Sequence, residues 1–174
     1  PWMSQLRPED VEDEAMRAAG ACAPTSMTMI LNYYGVGAKI AEVGRRAFDP
    51  VARIYGNWAF LAATAADYGF SSWVHRFNNW TEVRKLIESG APVIISIAYP
   101  KGTFKDDPEK MSNGHLLVVR GFTKNGDVIC NDPGTAFPDR GDGVIYKWQE
   151  LGEAFFGHGG VGIIVKPPEK YPEK

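Results

Sequence analysis

Apolar residues recur every three or four positions through most of the first half of the chain, which is the spacing of amphipathic helices. After Pro24, apolar side chains keep this spacing from Met27 to Tyr34, and Gly35 is a suitable helix stop. Asn57 and Thr81 are suitable caps for two further helices. The predicted helices span residues 9–18, 24–34, 39–48, 57–68 and 81–89.

The second half of the chain contains short apolar runs bounded by Gly, Pro and Asn, a pattern typical of β-strands. The predicted strands span residues 92–99, 116–122, 127–131, 144–148 and 161–166. Helices followed by mostly antiparallel strands indicate an α+β fold, in which an N-terminal helical part packs on a sheet of four or five strands. We expect a single domain over residues 1–166 and a frayed tail over residues 167–174.

A predicted hairpin joins the strands that flank Asn125-Gly126, a strong turn signal. Its register depends on where the turn is centred. A turn centred at Thr123-Lys124 places Asp132 opposite His115. A tight Asn125-Gly126 turn instead places Ala136 opposite His115, and the sequence leaves both registers open.

The composition is that of a globular protein, with 44% hydrophobic and 23% charged residues among 174 and a net charge of −2. No basic stripe is present, so we expect no nucleic-acid partner. No run of eighteen apolar residues occurs, so we expect no membrane span, and the chain shows no signal peptide. We expect the protein to be a monomer.

The sequence contains no motif for a metal or a nucleotide cofactor. Its two cysteines, Cys22 and Cys130, are too few for a disulfide framework and lack the CxxC or CxxH spacing of a zinc site. No GxxxxGK pattern occurs, and the one GxGxxG match, at residues 157–162, runs into a predicted strand rather than opening a helix. We therefore expect neither a metal nor a cofactor.

Cys22 comes just before the helix that Pro24 opens, where free backbone N–H groups favour an anion such as a thiolate. Helix-end stabilisation of about 0.3–2 kcal/mol lowers a thiol pKa by roughly one unit, so a thiol of pKa about 8.5 stays largely protonated at pH 7. A reactive Cys22 therefore needs a base, and histidine is the best candidate. Position alone does not distinguish this role from that of a small buried core cysteine.

Three histidines are available as the base: His75, His115 and His158. His75 lies in residues 72–77, a further predicted strand, and His158 in a Gly-rich loop. His115 opens the strand at 116–122, where its ring would stand at the sheet edge beside a cleft, so we favour His115. Asp132 ends the next strand and could orient the imidazole, although an Asp before Pro133 is also a common turn cap.

Three segments occur in the order that a Cys, His and Asp site requires: residues 20–35 around Cys22, residues 114–122 with His115, and Asn131-Asp132-Pro133. Together they resemble the bacterial papain-like peptidases related to the bacteriocin-processing, double-glycine leader peptidases. Residues 56–58 and 96–99 are similar to segments of the free-standing members. The resemblance covers nearly the whole chain.

The resemblance implies a papain-like fold and a cysteine peptidase that cleaves peptide bonds through Cys22, His115, Asp132 and an acyl-enzyme intermediate. The family also has a glutamine upstream of the cysteine that contributes to the oxyanion hole. Gln5 resembles that glutamine, although its distance from Cys22 in the sequence is long. Gln149, the only other glutamine, lies at a predicted helix start far along the chain.

Two alternatives stay open beside a free-standing peptidase acting on a peptide or protein. The same residues could serve an acyltransferase, because an amine can replace water as the acceptor of the acyl group. The domain could also be a catalytically inactive peptide-binding module of the same fold. The resemblance favours a secreted or cell-envelope location.

Overall fold

The computed structural model describes residues 1–168, which form a six-stranded sheet with helices on both of its faces. The helices are α1 (Glu14–Ala19), α2 (Cys22–Tyr33), α3 (Ile40–Ala47), α4 (Trp58–Ala66), α5 (Trp80–Glu88) and α6 (Trp148–Phe156). The strands are β1 (Ser71–Arg76), β2 (Val93–Tyr99), β3 (Ser112–Phe122), β4 (Val128–Asn131), β5 (Val144–Tyr146) and β6 (Val161–Lys166). A 3-10 turn at Pro138–Arg140 precedes β5.

The strands follow the order β1-β6-β2-β3-β4-β5, and each neighbouring pair runs antiparallel. Successive residues of a strand point to opposite faces, so in β2 Ile94 faces one core while Val93 and Ile95 face the other. The predicted α+β class is confirmed. Over residues 1–168 the sheet has six strands rather than four or five, because Ser71–Arg76 pairs with β6 along its whole length.

The N-terminal helical part packs on the sheet as predicted. Met27 of α2 and Leu61 of α4 share one buried cluster with sheet residues such as Leu116. The opposite face is covered by later helices, since Val83 of α5 and Phe155 of α6 lie in the second cluster. This second helical layer was not part of the sequence prediction.

Side chains with hydrogen-bonding oxygens decide where several helices begin. Asn57 caps α4 as predicted, accepting from the N–H groups of Ala59 and Phe60. The predicted cap Thr81 is wrong: Asn79 caps α5 by accepting from Glu82 N–H at 3.2 Å. The helix expected over residues 9–18 is shorter than predicted, because Asp13 caps it and α1 begins at Glu14.

The first residues of the chain lie across the end of β4 and beside α2. Trp2 Nε1 donates to the carbonyl of Asp132 at 2.8 Å, and Gln5 N–H donates to the carbonyl of Pro133 at 3.0 Å. On the other side, Met3 N–H contacts Sδ of Met29 at 3.3 Å. The N-terminal segment therefore joins the helix that starts at Cys22 to the end of the β4 strand.

No helix within residues 1–168 is both long and apolar enough to cross a membrane. The predicted frayed tail at 167–174 lies outside the described residues, except for Pro167 and Pro168.

Candidate active site

Cys22 is the first residue of α2, two positions earlier than the predicted start at Pro24. Its preceding residue, Ala21, has no side chain that could cap the helix, and the first turn carries no acidic residue. The N–H groups of this turn therefore remain oriented towards whatever anion lies at the helix start. The Cys22 side chain is partly exposed, in contrast to the buried Cys130 of β4.

His115 lies inside β3 rather than at its start, because the strand begins at Ser112. It pairs with Ile97 of β2 in the ladder, and only 13% of its side chain is exposed. The sheet therefore holds the backbone on which the imidazole stands, and Ser26 of α2 links the helix to this strand by donating to the carbonyl of Leu116 at 3.1 Å.

The structure places Asp132, just after β4, beside the imidazole of His115. Nε2 of His115 lies 2.7 Å from Oδ1 of Asp132. The same oxygen accepts the N–H of Gly134 at 2.7 Å, and the other carboxylate oxygen accepts the hydroxyl of Tyr146 at 2.6 Å. Because Nε2 faces Asp132, the remaining ring nitrogen, Nδ1, is the one available to the thiol of Cys22, whose pKa His115 lowers.

Both of the hairpin registers expected from the sequence are wrong. Past a bulge at Arg120, the β3–β4 ladder continues in a register that brings Gly134 beside His115. His115 is therefore opposite neither Asp132 nor Ala136. The Asp132 side chain reaches the ring diagonally, and Gly134 leaves it room, since a Cβ at this position would lie 3.1 Å from Cε1 of His115.

Charges and hydrogen bonds shift the pKa of all three groups towards an ion pair, against the effect of burial. Burial opposes the charged form of Asp132, but the charge and hydrogen bond of His115 hold the carboxyl pKa well below its usual range. Burial likewise lowers the pKa of His115, yet Asp132 and Cys22 together raise it to about 10. The thiol pKa of Cys22 is raised by burial and lowered further by His115 and by backbone bonds, so it falls below its ordinary value. Both the lowered thiol pKa and the raised imidazole pKa favour a thiolate beside an imidazolium.

Gln5 lies in the N-terminal segment described above, so its backbone is fixed against Pro133 next to Asp132. Ser4 reinforces this position, because its hydroxyl donates to the carbonyl of Thr135 at 2.5 Å. Within the part of the chain that the structure describes, Oε1 of Gln5 is buried without a hydrogen-bond partner. The segment thus has the ordered packing that an oxyanion donor at Gln5 requires.

The other two histidines are not brought to Cys22. His75 is an exposed residue of the edge strand β1, and its ring packs against Phe77. His158 lies in the loop before β6, with its ring edge-to-face on Trp58 at a centroid distance of 6.5 Å. Among residues 1–168 there is no cluster of three or more His, Cys, Asp and Glu side chains that could hold a metal ion.

Two residues at this site were missed by the sequence reasoning. Gly134 was hidden in a segment predicted as a turn, although Asp-Pro-Gly is a sequence in which Asp often accepts the N–H two residues later. Tyr146 belongs to a strand that was predicted, but no sequence signal indicates that β5 packs beside β4 with Tyr146 reaching Asp132.

Comparisons with known proteins bear on the family and the fold of this chain. The family model described as "Peptidase_C39 like family" matches residues 1–154. A comparison with curated proteins gives no significant match.

Three solved structures share the fold. A protein described as a C39-like peptidase from Bacillus anthracis is 16% identical, with a TM-score of 0.69 over 98% of this chain and 96% of that one. The peptidase domain of Streptococcus ComA, a bifunctional ABC transporter of a quorum-sensing pathway, is 16% identical, with a TM-score of 0.65 over 95% and 97% of the two chains. A double-glycine motif protease from an AMS/PCAT transporter, solved with its leader peptide, is 24% identical, with a TM-score of 0.56 over 84% of each chain.

Proposed function

Because the chain belongs to the Peptidase_C39-like family, we propose that it is a cysteine peptidase in which Cys22 is the nucleophile, His115 the acid and base, and Asp132 the residue that orients His115. The observation that carries this proposal is the position of the His115 ring. Its Nε2 is hydrogen-bonded to Asp132 at 2.7 Å, which leaves Nδ1 available to the Cys22 thiol, and His115 lowers the pKa of that thiol. The family includes inactive members, so the geometry of these groups matters more than membership.

In the first half of the reaction, the Cys22 thiolate attacks the carbonyl carbon of the scissile peptide bond. The electrons of the C=O bond move to its oxygen, which becomes an oxyanion. When the tetrahedral intermediate collapses, the C–N bond breaks and the imidazolium of His115 gives its proton to the leaving amine. The N-terminal part of the substrate remains bound to Sγ as a thioester.

In the second half, His115 is neutral and acts as a base. It takes a proton from water, the resulting hydroxide attacks the thioester, and the Cys22 thiolate leaves as the carboxylic acid forms. Asp132 keeps the same ring nitrogen bonded throughout, so the imidazole does not change its orientation between the two halves.

The oxyanion needs donors that already point to its position. We propose that the backbone N–H of Cys22, at the uncapped start of α2, is one donor and that the side-chain amide of Gln5 is the second. A glutamine amide offers two N–H donors and does not titrate near neutrality. The contact of Gln5 N–H with Pro133 supports this proposal, because it fixes the backbone of Gln5 beside the same loop that carries Asp132.

We propose a peptide as the substrate, which the leader peptide bound to one of the structural relatives supports. The test is to incubate the protein with a mixed peptide library and identify new termini by mass spectrometry. Wild-type protein should release new N- and C-termini, and Cys22→Ala should release none. If wild type binds peptides but leaves them intact, the proposed activity is wrong and the domain is a binding module.

The acyltransferase alternative is separated in the same assay by adding a small primary amine. A peptidase should give mainly free carboxyl termini. An acyltransferase would instead give mainly products that carry the amine at the new C-terminus. This result identifies an acyltransferase if the activity of the amine is no higher than that of water.

A further inference from the structure

The two carboxylate oxygens of Asp132 face different parts of the protein and have different partners. Oδ1 faces His115 Nε2 at 2.7 Å and accepts the N–H of Gly134 at 2.7 Å. Oδ2 points away from the imidazole and accepts the hydroxyl of Tyr146 at 2.6 Å. The hydroxyl of Tyr146 is bonded to Asp132 and not to Cys22 or His115, so its effect on the reaction passes through Asp132.

We propose that Tyr146 is a positioning residue that fixes the rotation of the Asp132 carboxylate and, through it, the orientation of the His115 imidazole. The consequence for turnover rests on the proposed function. The consequence for the bond between His115 and Asp132 does not, because that bond is present in the resting protein.

The backbone of Asp132 is held on both sides, but this does not fix its side chain. The carbonyl of Asp132 accepts Trp2 Nε1 at 2.8 Å, and its N–H donates to the carbonyl of Gly141 at 2.9 Å. The carboxylate can still rotate about its two side-chain bonds. A bond at one oxygen alone leaves such a group free to pivot, whereas donors at both oxygens define its plane.

Lys110 also lies near Oδ2, but it cannot replace the hydrogen bond from the Tyr146 hydroxyl. Its Nζ lies 3.9 Å from Oδ2, beyond hydrogen-bond distance, and 39% of its side chain is exposed. An ion pair of this length is screened by solvent and has little directional preference. The tyrosine hydroxyl at 2.6 Å is therefore the contact that sets an angle.

The ring of Tyr146 is itself held in place. Phe104, from the loop between β2 and β3, packs against it at a centroid distance of 5.3 Å and also packs edge-to-face on Tyr99 at 4.7 Å. Phe104 is only 5% exposed, so this aromatic group is fixed by the core. A rigid ring delivers the hydroxyl to one position, which a flexible lysine does not.

A tyrosine is suitable for this role because it donates without losing its proton. Burial and the charge of Asp132 raise the pKa of Tyr146 far above its usual range, so the hydroxyl remains a donor at every pH at which the protein works. Tyr146 therefore stabilises the negative charge of Asp132 as a neutral hydrogen-bond donor.

The surroundings explain why an unpaired Oδ2 would not stay fixed. Asp132, Tyr146 and Lys110 line an open cavity of about 840 Å³. If the hydroxyl is removed, water from this cavity becomes the donor to Oδ2, and an exchanging water does not hold one angle.

Tyr146→Phe tests the proposal because it removes the hydroxyl and retains the ring that packs against Phe104. Tyr34→Phe is the matched control: its ring is also half-buried, and its hydroxyl donates to the carbonyl of Val165 at 3.3 Å, away from Asp132. The first readout is the proton NMR signal of the His115 Nε2–H, which a short bond to a buried carboxylate shifts far downfield. His115→Ala assigns the signal.

We expect Tyr146→Phe to shift or broaden this signal and Tyr34→Phe to leave it unchanged. On a cleaved peptide, kcat of Tyr146→Phe should fall by about tenfold with KM nearly constant, since misplacing a catalytic group by 1 Å costs up to about a hundredfold. A signal and a kcat equal to wild type would overturn the proposal. Equal losses in both variants would also overturn it, because they would show a general effect of lost stability.

The test also gives an answer if the wild type is inactive or if the variant does not fold. If wild type cleaves no peptide, the proposed function fails while the NMR comparison alone still decides the role of Tyr146. If Tyr146→Phe does not fold, a crystal structure of the wild-type protein decides it. The Tyr146 hydroxyl within hydrogen-bond distance of Oδ2 supports the proposal, and Oδ2 bonded only to water or to Lys110 overturns it.

Discussion

Nε2 of His115 and Oδ1 of Asp132 lie 2.7 Å apart, although the two residues are not paired in the β3–β4 ladder. The contact depends on a diagonal reach of the Asp132 side chain past Gly134. A hydrogen bond of this length between a buried carboxylate and an imidazole favours the charged forms of both groups. The chemistry proposed for Cys22 depends on this contact because it holds His115 in its charged form.

Cys22 should be the reactive thiol of the protein. We expect iodoacetamide at pH 7 to label Cys22 much faster than Cys130, because His115 lowers the pKa of Cys22 whereas burial raises that of Cys130 well above its usual value. Peptide mapping by mass spectrometry gives the two rates. His115→Ala should slow the labelling of Cys22, and equal slow labelling of both cysteines in the wild type would contradict the assignment.

The pH dependence of turnover should be bell-shaped, because the reaction needs the Cys22 thiolate and the His115 imidazolium together. The acid limb appears where the thiolate takes up a proton, below the usual thiol range. The alkaline limb appears where His115 loses its proton, and its pKa is raised to about 10.

Asp132→Asn should move the alkaline limb to lower pH, because the negative charge of Asp132 is the largest influence that raises the pKa of His115. The measurement is kcat/KM against pH. Asp142→Asn removes a surface carboxylate that pairs with Arg120 and should leave both limbs in place. An alkaline limb that does not move in Asp132→Asn would show that another group determines it.

Gly134 leaves little room for a side chain beside Asp132 and His115. A Cβ on Gly134 would lie 3.0 Å from Oδ1 of Asp132 and 3.1 Å from Cε1 of His115. We expect Gly134→Ala to lower kcat by about tenfold or more, because small displacements of catalytic groups are costly. Gly134 is exposed, so the melting temperature should change little.

Gly114→Ala is the control for this substitution. Gly114 lies next to His115 in β3, but a Cβ there would have nothing within 4 Å. It should retain wild-type kcat. Full activity of Gly134→Ala, or an equal loss in both variants, would show that a side chain at this position does not displace His115 and Asp132.

Gln5→Ala should lower kcat by about a hundredfold or more, the scale of one lost oxyanion donor. The labelling of Cys22 by iodoacetamide should be largely unchanged, because the thiolate is stabilised by His115 rather than by Gln5. Gln149→Ala, an exposed position on α6, provides a glutamine control with no expected effect. An unchanged kcat in Gln5→Ala would assign the second donor to another group.

The elements that the sequence predicted well are those marked by local signals. Helical spacing after Pro24 with Gly35 as the stop led to α2, and Asn57 was recognised as a cap from its own chemistry. Such signals are ambiguous where two possible cap residues lie close together in the sequence, as at the start of α5. There Asn79 rather than Thr81 became the cap, because the neighbouring Trp80 packs into the second core as part of the helix.

The residues of the candidate site could be predicted from the sequence, but the contacts between them could not. Cys22, His115 and Asp132 were selected by residue type, order and resemblance. Their contacts depend on a bulge at Arg120, which shifts the ladder by one residue and has no clear signal in the sequence. The contact of Tyr146 with Asp132 depends on which strand follows β4 in the sheet, a long-range property that local patterns do not encode.

The most direct test of the account is to trap the acyl-enzyme. A peptide that the protein cleaves is mixed with it, the reaction is quenched in acid at early times, and the intact protein mass is measured and then mapped. We expect an added mass equal to the N-terminal fragment of the peptide, attached to Cys22. It should decay as free acid forms and be absent in Cys22→Ala. Cleavage by Cys22→Ala at the wild-type rate, with no adduct on the wild-type protein at any time point, would contradict the proposed mechanism.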